Sequence, residues 1–181
     1  MRRGIFLVFF GLLTITFSVL AQNQGGTKVK WYTFEEAVKL NQANPKKIFI
    51  DVYTDWCSWC KVMDRETFSH PEIAEYLNKH FYPVKFNAES KEPVSFMGTV
   101  FENKGEGRRS PHDLAAALLQ GKMSYPSVAY LDEDNKLLTA VPGYYPPEQM
   151  EPILKFFGGN HYKTTTWEVF SKSFKGNVVK K

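Results

Sequence analysis

Hydrophobic and polar positions along this chain fall into two periods, and the alternation between them outlines the fold. Ile48-Phe-Ile-Asp-Val-Tyr53 is a nearly continuous apolar run, the pattern of a strand covered on both faces, and it predicts a strand over 47–53. Phe81-Tyr-Pro-Val-Lys-Phe86 predicts a second strand. Ser127–Leu131 and Lys136–Val141 flank the polar turn Asp132–Asn135, which predicts an antiparallel hairpin. Helical spacing occupies the intervals. Thr33-Phe-Glu-Glu36 is a capping box with Phe34, Ala37 and Val38 on one face and Leu40 beside them, ended by Asn44-Pro45. No breaker interrupts Lys61–Phe68, and Pro71 opens a helix to His80 that turns Ile73, Tyr76 and Leu77 inward. Pro111–Gln120 is helical until Gly121. Pro147–Phe157 presents Met150, Ile153, Leu154 and Phe157 as its buried face; Pro152 removes one hydrogen bond, which predicts a late start or a kink.

Strand, helix, strand in that order implies a right-handed parallel crossover. Between 88 and 110 the pattern loosens. Phe96–Phe101 reads as an irregular strand or hairpin and Asn103–Gly107 as a turn. Gly158-Gly159 closes the domain, and Trp167–Phe174 is an amphipathic piece expected to dock on it.

The first residues differ in kind. Met1-Arg-Arg-Gly precedes an uncharged apolar stretch, Ile5–Leu20, and Val19-Leu-Ala21 before Gln22 fits a small-residue cleavage site. The stretch is shorter than the roughly 20 residues of a membrane span, and Thr14, Thr16 and Ser18 weaken it. The pattern predicts a cleaved secretory signal over 1–21; an uncleaved N-terminal membrane anchor is the alternative. The polar, Gly-rich stretch 22–29 follows as a flexible start. Among 181 residues the 43% hydrophobic and 15% aromatic fractions suffice for one packed domain. The net charge of +4 is scattered, without the basic stripe that nucleic-acid binding needs.

Candidate chemistry concentrates in Asp51-Val-Tyr-Thr-Asp-Trp-Cys57-Ser-Trp-Cys60-Lys61, which holds the two cysteines of the chain. They lie at a strand-to-helix junction. There Cys57 meets unpaired backbone N–H groups and the positive end of the helix, both of which favour a thiolate, the reactive form. Exposed and activated at the helix start, Cys57 would attack, and Cys60, one turn inside, is placed to resolve a mixed disulfide. A structural staple is less apt, because so short a loop gains least from closure. A zinc site needs further ligands, and His70 and His80 stand at the wrong spacing, so no metal is expected.

Further residues connect this segment to a family. Trp56-Cys57-x-x-Cys60-Lys61 resembles the active-site signature of thioredoxins. Asp51 matches that family's buried aspartate, and Val84-Lys85-Phe86-Asn87 its lysine-bearing strand. Tyr125-Pro126 falls at its cis-proline, and Gly143 at the glycine near its last strand. Asp55–Lys61 together with Thr67-Phe68 and Pro71-Glu-Ile73 is similar to periplasmic thioredoxin-like domains, including the one that ends the membrane electron carrier of disulfide interchange proteins. The resemblance covers residues 30–157 and departs from it in two places: a longer segment over 92–122, and Ser58-Trp59 between the cysteines instead of Gly-Pro.

The resemblance implies an α/β thioredoxin fold: a central mixed sheet flanked by helices, an insertion before the cis-proline loop and a C-terminal extension over 158–181. It implies a periplasmic or secreted protein disulfide oxidoreductase. Its redox centre would be the Cys57/Cys60 pair itself, with no cofactor. Asp51 would accept the Cys60 proton, Lys85 would oppose its burial, and Gly143 would support the loop. Pro126 would be cis and leave the Tyr125 backbone free for an extended substrate. Trp56 and Trp59 would frame the thiol, although core packing suits Trp59 equally. The expected partners are exported proteins with thiols or disulfides and a membrane thiol electron donor. The competing class is a binding module in which Cys57–Cys60 is a static disulfide.

Overall fold

β1 (Lys47–Tyr53) is buried from Lys47 to Val52, and everything else is layered around it. The computed structural model describes residues 26–179, so the proposed signal over 1–21 lies outside the described residues. The strand order is β2-β1-β5-β6. β2 (Phe81–Asn87) runs parallel to β1; β5 (Ser127–Leu131) and β6 (Leu137–Pro142) are antiparallel to their neighbours. Tyr32 adds a single parallel bridge to Val84 at the outer edge of β2.

The two-residue period of β1 sorts its side chains between two cores. Ile48, Ile50 and Val52 enter a cluster with α1 (Phe34–Ala43), β3 (Val94–Phe96) and α4 (Asp113–Leu118). Phe49 faces the opposite cluster, built on α2 (Ser58–Met63), α3 (Pro71–His80) and α5 (Pro147–Gly158). Asp51, two residues after Phe49, points to that second side, beneath the helix that carries the cysteines.

Several local expectations change. α2 does not continue as an α-helix to Phe68, because Asp64–Phe68 is a π-turn. Bonding from i to i+5 stacks residues five apart, so Met63 and Phe68 both face the core. Of its two expected forms, the segment over 96–101 takes the hairpin, but it begins earlier, at Val94: β3 pairs with β4 (Thr99–Phe101), turning through Met97 and Gly98 at positive φ. α4 begins at Asp113 rather than Pro111, because buried His112 caps it by accepting the Leu114 N–H at Nδ1, 3.0 Å away. α5 starts at Pro147 despite Pro152, and its buried aromatic is Phe156, with Phe157 half-buried. The reason is α6 (Trp167–Ser173), whose Trp167 meets Phe156 edge-on at 5.5 Å and whose Phe170 meets it tilted at 5.3 Å, covering a second face of α5.

Candidate active site

The turn Thr54–Cys57 converts β1 into α2, with the Cys57 N–H donating to the Thr54 carbonyl at 3.1 Å. Cys57 is the N-cap of α2: its Sγ accepts the Cys60 N–H at 3.1 Å. The two cysteines are joined as a disulfide, with Cα atoms 5.3 Å apart. Cys57 was expected to be exposed, yet it is only 4% accessible. Its sulfur, tied to Cys60 and hydrogen-bonded to the first turn, lies along the helix instead of projecting from it. Cys60 and Met63 are the buried residues of α2, and Met63 packs in the cluster of Phe49. Cys60 therefore lies on the side of the helix that faces the sheet.

Asp51, on the same face of β1 as Phe49, is 1% accessible. The parallel register pairs Asp51 with Lys85, so both side chains share one face of the sheet. Lys85 Nζ is 3.0 Å from Asp51 Oδ2 and donates to Asp64 Oδ2 at 2.6 Å. Neither oxygen of Asp51 has a hydrogen bond of good geometry among the described residues. Burial dominates and pushes the Asp51 carboxyl up to about 6; the Lys85 charge pulls it down, and the Asp64 charge adds to the rise. Burial draws the Lys85 ammonium down, but its two carboxylates outweigh that and hold it above the usual lysine range. The rings of Tyr53 and Trp31 flank the ammonium at 4.8 and 5.4 Å.

Asp64 was not recognised from the sequence. The available signal was a carboxylate one helical turn beyond Cys60, but only the parallel pairing of β1 and β2 brings Lys85 within its reach. His112, to which no role was given, is a buried helix cap whose ring meets Phe86 edge-on at 5.3 Å.

The Tyr125–Pro126 peptide is cis. Gly143 holds this loop, its N–H donating to the Pro126 carbonyl at 2.8 Å. Its φ of +105° is a conformation side chains rarely adopt, which accounts for the glycine. The Tyr125 ring meets Trp56 edge-on at 5.9 Å, so the cis-proline loop is tied to the residue preceding Cys57. Trp56 is half exposed, with Nε1 donating to Glu89 at 2.8 Å. Trp59 is 59% accessible and rests 5.2 Å from Tyr144, which excludes it from the core. Lys61 is a solvated charge.

The structure thus pairs Asp51 with Lys85 on the face of the sheet that also carries Phe49, and ties Lys85 to Asp64 at the end of α2, whose start holds Cys57 and Cys60. Trp56, Tyr125, Pro126 and Gly143 form a wall beside it. Trp59 lies on the outer surface toward Tyr144.

Comparison with known proteins agrees. An uncharacterized protein of Caenorhabditis elegans, B0495.5, is 27% identical over 150 residues, 81% of this chain and 18% of that one. The thiol:disulfide interchange protein DsbD of Citrobacter koseri is 37% identical over 59 residues, 32% of this chain and 10% of that one. This chain therefore spans less than a fifth of the length of either relative. A solved thioredoxin from Thermus thermophilus superposes with a TM-score of 0.54 at 16% identity, covering 75% of this chain and 93% of that one, which establishes a shared fold. Residues 13–108, more than half of the chain, match the family Thioredox_DsbH, described as a protein of unknown function, DUF255. The chain belongs to this thioredoxin-like family, related to thiol:disulfide interchange proteins, and carries its Cys57–Cys60 pair at the head of α2.

Proposed function

We propose that the protein is an exported thiol–disulfide oxidoreductase that reduces or isomerises disulfides in protein substrates. The observation that carries this reading is the pairing of a helix-capping Cys57–Cys60 disulfide with a buried, under-partnered Asp51 on the sheet beneath. A static staple requires no buried carboxylate at a cost in stability.

In the reduced protein the Cys60 N–H that points at Cys57 Sγ favours the thiolate. That thiolate attacks one sulfur of a substrate disulfide; a Cys57–substrate bond forms, and the other substrate sulfur leaves as a thiolate and takes up a proton. Cys60 passes its proton to Asp51, whose elevated pKa suits it to exchange a proton near neutrality. The Cys60 sulfur then attacks Cys57 Sγ, which closes the disulfide of the protein and releases the second substrate thiol. Two electrons and two protons move from protein to substrate. In isomerisation the thiolate released in the first step attacks another disulfide of the substrate, and the thiolate freed there displaces Cys57 from the mixed disulfide, so the protein dithiol is restored and no electrons are transferred on balance. The cis Tyr125–Pro126 loop leaves an extended backbone edge for the substrate chain.

The reduced state must be regenerated by a dithiol, and exported compartments lack a reducing glutathione buffer. A membrane thiol carrier is the fitting donor. The sequence pattern of 1–21 supports export, and no helix among the described residues is long and apolar enough to cross a membrane.

Insulin reduction by the purified protein tests the reading. Activity is expected, with complete loss in Cys57→Ser and accumulation of mixed disulfides in Cys60→Ser. A protein that leaves insulin disulfides intact, and traps no partner through Cys57, is a static module.

A further inference from the structure

The insertion contains a loop of little regular structure, Glu102–Ser110, that is nonetheless fixed from within. Asn103 is buried; its Nδ2 donates to the Glu89 and Ser110 carbonyls at 3.2 and 2.7 Å, and its Oδ1 accepts from Lys91 and Ser110 Oγ at 2.9 Å each. Lys91 also donates to the Gly105 carbonyl at 2.6 Å. The loop closes so tightly that a Cβ on Gly105 would come within 2.2 Å of Ser110 Cβ. This internal network orders the chain just before and after two consecutive arginines, Arg108 and Arg109.

Those arginines face the proposed redox site. The Arg109 guanidinium lies 4.7 Å from the centre of the Trp56 ring, the ring that touches Tyr125 at the cis-proline loop. Arg108 and Arg109 line a cleft of about 730 Å³ with Asp55, Trp56 and Glu89. Neither guanidinium has a carboxylate within ion-pair distance among the described residues. Asp55 and Glu89 accept instead from neutral donors, Asn87 Nδ2 at 3.2 Å and Trp56 Nε1 at 2.8 Å. The two carboxylates offset the long-range field of the arginines, so recognition acts at contact. There a guanidinium offers a planar fork to a carboxylate, and stacking on Trp56 holds that fork in place.

We infer that Arg108 and Arg109 are specificity residues that grip an acidic side chain of the substrate. The preferred substrates then carry Asp or Glu beside the reacting cysteine, on an extended strand laid past Trp56 and Tyr125. The inference rests on the redox reading of Cys57 and Cys60, and its test separates the two.

Cyclic disulfide peptides with Asp, Ser or Lys beside one cysteine are offered to the reduced full-length protein, and each rate is normalised to reduction by free mercaptoethanol. Bis(2-hydroxyethyl) disulfide, which is uncharged, reports the cysteine chemistry alone. The Asp peptide is expected to react about fivefold faster than the Lys peptide, the factor two exposed ion pairs provide, with the difference in KM. Arg108→Glu/Arg109→Glu should invert the order, and Arg108→Lys/Arg109→Lys should restore part of it. Equal normalised rates in the wild type, or an order unchanged in the Glu variant, overturn the inference while reduction of the uncharged disulfide leaves the redox reading standing. If the wild type reduces none of these disulfides, both fall.

Discussion

Two carboxylates are buried among the described residues, Asp51 in β1 and Glu151 in α5, and desolvation is the largest influence on each. Their ionisation shifts in opposite directions. Glu151 is 3% accessible, yet it accepts from Lys155 at 2.6 Å and from the Asn177 and Val178 N–H groups at 2.9 Å each. Those donors outweigh burial and hold it below the usual glutamate range. Asp51 has the Lys85 ion pair and no well-formed hydrogen bond, so burial wins and its carboxyl rises to about 6. Burial alone thus does not mark a functional acid; the count of donors decides. A satisfied carboxylate clamps the C-terminal segment to α5. An unsatisfied one keeps a proton within reach of neutral pH.

The sharpest break in this comparison comes from Asp51→Asn. Removing the proton acceptor should slow disulfide exchange about 100-fold. A rise from 3.8 to about 6 corresponds to about 3 kcal/mol, so the same variant should be more stable by up to that amount at pH 7. The folded state holds the Asp51 proton more tightly than the unfolded chain, so this contribution falls as pH rises from about 4 to about 6. Urea melts across that window should show the slope in the wild type and not in the variant. A destabilised Asn variant would place Asp51 in the same class as Glu151.

Glu151→Ala should behave in the opposite sense, losing about 2 kcal/mol as the backbone donors and Lys155 lose their acceptor. Hydrogen exchange should then show unprotected Asn177 and Val178 amides. Because Glu151 is depressed in the fold, its contribution is present above its ordinary value of 4.5 and fades as pH falls below it. The deficit of the variant should shrink in acid.

Lys85→Met tests the one partner Asp51 has. Without that charge the carboxyl rises further, so the acid limb of the exchange rate should move up by about one pH unit, about a twofold loss at pH 7 that approaches tenfold below pH 6. A profile that stays in place would exclude Asp51 as the titrating group. Gly176→Ala is the smallest change. Its Cβ would meet Glu151 Oε2 at 2.3 Å, and the expected cost is about 1 kcal/mol with redox activity intact. Thermal melts read it directly.

The sequence was most legible where periodicity and packing coincide. β1 at 47–53 and α3 at 71–80 have the expected bounds, because a two-sided apolar run and a one-sided helical stripe each have a single way to be buried. It was least legible where a second layer intervenes. Phe156 and Glu151 are buried because the segment after Gly159 covers a second face of α5, which a one-faced helical pattern cannot show. The π-turn at Asp64–Phe68 was hidden for a related reason. Local propensity there favours a plain helix, and the demand that both Met63 and Phe68 face the core comes from the sheet.

The same division holds at the candidate site. Spacing alone placed two thiols at a strand-to-helix junction with an acid six residues upstream, because covalent distance and strand or helix period are properties of the chain. The coupling of Asp51 to Asp64 and to Lys85, and Arg109 brought over Trp56, join residues 13, 34 and 53 positions apart. Only the folded sheet, its register and its exclusion of water decide which charges meet and which proton is held, because electrostatics depends on distance and solvation in space and not on order along the chain.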